Sequence, residues 1–76
     1  MKKPAFADLY KLSEDKRIDL IGHYVMHEHK VTAFIVEDQE KADRYIGQLK
    51  TKFPGIVVDS HFPWAGQIVI KLRPPA

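Results

Sequence analysis

The spacing of apolar residues divides the chain into five elements and a short lead-in. Phe6, Leu9 and Tyr10 follow Pro4 at helical spacing, which predicts a single helical turn within a partly ordered segment 1–12 whose first three residues fray. Ser13 with Glu14 and Asp15 reads as an N-cap followed by acids in a first turn. The helix it opens runs to about His27, with Ile18, Ile21 and Val25 as its stripe and Gly22 and Tyr24 on the flanks. From Lys30 to Val36 the pattern changes to a β-branched run apolar on both faces, which predicts a strand at the centre of a sheet.

Asp38 caps a second helix from about Gln39 to Lys52, where Ala42, Tyr45, Ile46, Leu49 and Phe53 share one narrow stripe. Pro54 and Gly55 stop it. Two strands follow, Ile56 to Phe62 and Gln67 to Arg73, joined as a hairpin by Pro63-Trp64-Ala65-Gly66. The order α-β-α-β-β predicts an α+β fold, a two-layer α/β sandwich with both helices on one face of a three-stranded sheet. With the last strand between the other two, this is the split βαβ, half-ferredoxin-like arrangement.

Strand alternation then assigns faces. Ile68, Ile70 and Leu72 point one way, toward the helices, and Gln67, Val69, Lys71 and Arg73 the other. On the preceding strand Ile56, Val58, Ser60 and Phe62 oppose Val57, Asp59 and His61. The uncovered face is therefore expected to show Val57, Asp59, His61, Val69, Lys71 and Arg73, with Phe34 or its neighbours from the first strand.

Composition narrows the picture without naming a function. Seventy-six residues with 45% hydrophobic content suit one small core and one domain, for which self-association would add stability. There is no cysteine and no apolar run long enough to span a membrane, so a cytoplasmic protein without a disulfide framework is the expectation. Net charge is +2, but residues 1–40 carry six basic and eight acidic side chains and residues 41–76 six basic and two acidic. An anionic partner would prefer the second half.

Three functional readings follow. The first is a non-enzymatic protein-interaction or regulatory domain, with a protein partner or a second copy on Phe34, Val57, His61, Trp64, Val69, Lys71 and Arg73. It rests on an apolar face that no helix covers and on a large indole set in a turn. The second is a single-stranded RNA or DNA module using Phe34 and His61 with Lys41, Arg44, Lys52, Lys71 and Arg73, although an RNP1-type string is absent and Glu40 is spaced to pair with Arg44. The third is a histidine-based metal binder: Asp19, His23 and His27 form an i, i+4, i+8 ladder suited to Zn²⁺ or Ni²⁺.

Other chemistry is weaker. Asp59-Ser60-His61 holds the residue types of a catalytic triad, but neighbouring strand residues face opposite ways, so the hydroxyl and imidazole cannot meet. The Val36-Glu37-Asp38-Gln39 turn lacks glycine and carries two carboxylates, which disfavours a nucleotide phosphate. Gly47 lies on the outer side of the second helix, where it suits close approach by another chain or has no role. Neither a cofactor nor a catalytic residue is expected.

Overall fold

The computed structural model describes residues 6–75; Pro4 and the expected fraying of the first three residues lie outside them. A 3-10 turn, η1 (Phe6–Lys11), precedes helix α1 (Glu14–Met26), strand β1 (Thr32–Val36), helix α2 (Gln39–Lys52) and strands β2 (Val57–Trp64) and β3 (Gln67–Arg73). The sheet order is β1-β3-β2 with both pairings antiparallel, so the last strand does slot between the other two. β1 is consequently an edge strand and not the central one its composition suggested.

The two helices cap differently. The Asp38 carboxylate accepts the Lys41 N–H at 2.9 Å, which satisfies one of the free donors at the start of α2. Ser13 has the extended backbone of an N-cap and its carbonyl accepts from Arg17 N, but its hydroxyl makes no capping bond.

The core lies between the helices and the sheet. Leu9, Ile18, Ile21, Val25, Leu49, Ile70 and Leu72 are fully buried, each such side chain contributing about 1.5–3 kcal/mol of burial energy. Gly22 is buried where α1 meets the end of α2: a β-carbon there would lie 2.0–2.4 Å from three ring carbons of Phe53. A glycine inside a helix costs about 1 kcal/mol relative to alanine, so the contact with the Phe53 ring accounts for its presence. Gly47, by contrast, has nothing within 4 Å of its β-carbon direction.

Arg17 ties the lead-in to this core. Its guanidinium donates to the Leu12 carbonyl at 2.9 Å, the Tyr10 carbonyl at 3.1 Å and the Tyr45 hydroxyl at 3.3 Å, and its centre lies 5.7 Å from the Tyr10 ring centroid. Tyr10 in turn accepts the Ile35 N–H through its hydroxyl at 2.9 Å. η1 therefore leans on the edge of β1, which is why that edge strand carries apolar residues on both sides.

A two-residue loop, Ala65-Gly66, joins β2 to β3 with positive φ at both positions (51° and 80°). This is the backbone of a type I′ turn, in which alanine is disfavoured and asparagine followed by glycine is preferred. Ala65→Asn is expected to raise stability by about 0.5–1 kcal/mol, read as a higher urea midpoint. A lowered midpoint would count against this turn geometry.

Candidate functional site: the open sheet face

One irregularity decides what the uncovered face presents. Val58 opposes Leu72 and Ser60 opposes Lys71, so Asp59 is an extra residue, a β-bulge, in β2. Beyond it every side chain changes face relative to strict alternation. Ser60, Phe62 and Trp64 now stand opposite Lys71, Val69 and Gln67 on the open side, while His61 stands opposite buried Ile70 on the helix side.

Two expected positions are thereby corrected. His61 leaves the open face, and its Nε2 lies 3.1 Å from the Gln39 side-chain nitrogen at the start of α2. Phe34 is also turned inward: β1 alternates buried and exposed from Thr32, and Phe34, only 3% exposed, opposes Ile70 and packs against Tyr45 with the rings tilted by 32° and their centroids 5.7 Å apart. Its neighbours Ala33 and Ile35 take the open side. Val57, Val69, Lys71 and Arg73 lie where alternation placed them, and Trp64, expected in the turn, is the last residue of β2 on the open side.

Tyr10 and Phe62 join the face unexpectedly, beside Ala33 and Ile35, the neighbours of Phe34 that were the expected alternative to it. With Trp64 and Val69 they line a groove of about 490 Å³. Tyr10 rises beside β1, Phe62 and Trp64 rise from β2, and Ile35 and Val69 form the floor between. By strand spacing β1 and β2 stand about 10 Å apart, and Tyr10 lies beyond the outer edge of β1. Exposure is high for such large rings: Trp64 66%, Tyr10 55% and Phe62 42%. The one visible clue was that Phe62 and Trp64 are two apart, so whichever face takes one takes both.

Polar groups collect at one end of the face. The Asp59 carboxylate lies 3.3 Å from Arg73 Nε and 3.8 Å from Lys71 Nζ. The bulge thus places an acid among the only basic side chains on β3.

Comparison with family models, characterised proteins and solved structures finds no match.

The remaining expected site residues do not come together. Asp19 Oδ1 lies 3.3 Å from Lys52 Nζ, the His23 and His27 rings stack at 5.0 Å, and His23 Nε2 lies 3.5 Å from Glu28 Oε2. Among the described residues no group of three or more His, Cys, Asp or Glu is arranged to hold a metal ion. The Asp19, His23 and His27 ladder is not a ligand set in this fold.

The proposed phosphate-tracking cations are each engaged by a carboxylate. Lys41 pairs with Glu37 at 2.8 Å, and Arg44 pairs with both oxygens of Glu14 at 2.6 and 2.7 Å rather than with Glu40. Lys52 pairs with Asp19, while Lys71 and Arg73 share Asp59. Ser60 and His61 still face opposite ways, now with their sides exchanged, so no nucleophile and base meet.

The Glu14–Arg44 bridge joins the start of α1 to α2. Its hydrogen bonds hold the Glu14 carboxyl below its ordinary value of 4.5 and the Arg44 guanidinium above its own. A carboxyl with a lowered native pKa stabilises the fold fully above its unfolded pKa, and that contribution disappears as pH falls through the lowered value. Glu14→Gln is expected to lower the urea midpoint slightly at neutral pH and to converge with the parent in acid. A constant gap across pH would show that the bridge carries none of the acid sensitivity. Because the pair is partly exposed, the effect is small.

Proposed function

We propose that this chain is a non-enzymatic protein-interaction domain that binds through the open sheet face. The observation that carries the reading is the clustering of exposed Tyr10, Phe62 and Trp64 around the Ile35–Val69 floor. Single exposed hydrophobics are ordinary, but contiguous apolar patches rimmed by polar groups mark binding surfaces, and Trp and Tyr dominate interface energetics. A non-enzymatic role fits a groove whose phenolic hydroxyl is already hydrogen-bonded to Ile35 N–H. A cytoplasmic setting suits a cysteine-free chain. Among the described residues no helix is long and apolar enough to cross a membrane.

Single-stranded nucleic acid is the second reading, because the bulge puts stackable rings on the same face as Lys71 and Arg73. It ranks below protein because Asp59 engages both cations.

Site-specific photo-cross-linking in cells separates the two. A photo-reactive amino acid at Val69, in the groove floor, is expected to give a nuclease-resistant polypeptide adduct. The same group at Gln48, on α2, should give none. No adduct from position 69 contradicts the proposal, and a nuclease-sensitive adduct supports the nucleic-acid reading instead.

A further inference from the structure

The two edges of the sheet are protected by different means. β2 carries several intrinsic devices against pairing with another chain: the Asp59 bulge, a charged side chain at the bulge, and Pro63, which has no N–H to donate. β1, Thr-Ala-Phe-Ile-Val, has no proline, glycine, charge or register shift. Short uncharged β-branched segments of this kind are prone to self-pairing when their edge is open.

What stands on the β1 edge is η1. The Ile35 N–H points away from β3 into the Tyr10 hydroxyl, and by the two-residue period of a strand the backbone groups of Ala33 point the same way. Tyr10 is held there by Arg17, which bonds its carbonyl and that of Leu12 while reaching Tyr45 on α2. The Arg17 guanidinium thus fastens the Tyr10 end of the segment that occupies the edge, while Leu9 anchors the segment in the core.

We propose that η1 is a removable guard on β1, and that the uncovered strand pairs antiparallel with β1 of a second copy of this chain. A two-fold axis at Phe34 matches the outward backbone groups of Ala33 to those of Ile35 in the other copy, so the edge is self-complementary. The product is a six-stranded sheet with all four helices on one side and two open faces joined into one. The guard therefore controls assembly, and because Tyr10 is also one side of the groove, it couples assembly to the shape of the open face. The inference concerns the sheet edge and stands apart from what binds the face.

The test uses the purified full chain, with sedimentation velocity over about 10–500 µM, the range in which a small transient interface dissociates, and amide exchange of Ile35 by NMR. Tyr10→Phe keeps the ring and removes the hydroxyl; Ile35 exchange is expected to rise about fivefold, the equivalent of one hydrogen bond. Arg17→Ala frees the Tyr10 end of the segment and is expected to raise Ile35 exchange and to produce a concentration-dependent dimer. Adding Ala33→Pro, which removes an outward N–H that the chain's own sheet does not use, is expected to restore the monomer. Unchanged Ile35 exchange in Tyr10→Phe overturns the guard, and this variant decides the matter if Arg17→Ala fails to fold. A folded Arg17→Ala variant that remains monomeric overturns the pairing when its Ile35 exchange has risen and the fastening by Arg17 when it has not, and a dimer that survives Ala33→Pro, formed through another surface, overturns the pairing as well.

Discussion

Gly22→Ala is expected to lower the melting temperature by about 5–15 °C, although alanine is the better helix former. The new methyl would lie 2.0–2.4 Å from Phe53 ring carbons, far inside contact distance, at the junction of α1 with the end of α2. Overpacking costs about 1–3 kcal/mol, and with three ring carbons this close the upper half of that range applies, which leaves a net loss of about 1–2 kcal/mol after the gain of about 1 kcal/mol in helix propensity. In a domain of this size each kcal/mol moves the midpoint by roughly 4–8 °C. Adding Phe53→Leu should recover part of the loss, because the smaller side chain gives the methyl room. A more stable Gly22→Ala protein would mean that the ring swings away freely and that the close approach does not constrain the helix pair.

The second large effect falls on binding. Phe62→Ser with Trp64→Ser removes two of the three exposed rings from the groove while leaving the buried core intact. Central aromatic residues dominate interfaces, with losses of 2 kcal/mol or more on truncation, so the cross-linking yield from position 69 is expected to fall at least about tenfold. The melting temperature should fall by less than Gly22→Ala loses. An unchanged yield would move the binding surface elsewhere, and a collapse in stability would mean that the rings serve the fold.

Much of the fold was legible because it follows from periodicity and caps. The residues of α2, from Gln39 to Lys52, and of β3, from Gln67 to Arg73, are those the pattern predicted. The Asp38 cap forms as expected, since the signal and the partner N–H are three residues apart. Slotting β3 between its neighbours was likewise predicted. What failed depended on contacts remote in sequence. Apolar residues on both sides of β1 suggested a central strand, but its outer side is covered by Tyr10, 25 residues earlier. Arg44 was matched to Glu40 one turn away, yet it pairs with Glu14, 30 residues away.

The site was harder to read for a specific reason. From Val57 to Trp64 apolar and polar residues alternate acceptably with or without an extra residue at Asp59, so the sequence supports both registers over this strand. The bulge decides between them: it moves Phe62 from the expected core side to the open side and His61 from the open side to the helix side, and it sets Trp64, expected in the turn, on the open side of β2. The open face and the use of Trp64 were expected; Tyr10 and Phe62, the other two rings that define it, were not.

A nuclear Overhauser spectrum of the full chain tests that re-aiming most directly. The bulged register predicts contacts from the Phe62 ring to Val69 and Ile35 methyls, and from the His61 ring to the Gln39 side chain. Contacts from Phe62 to Leu49 or Ile70 in the core, with His61 beside Lys71, would restore strict alternation and contradict the account.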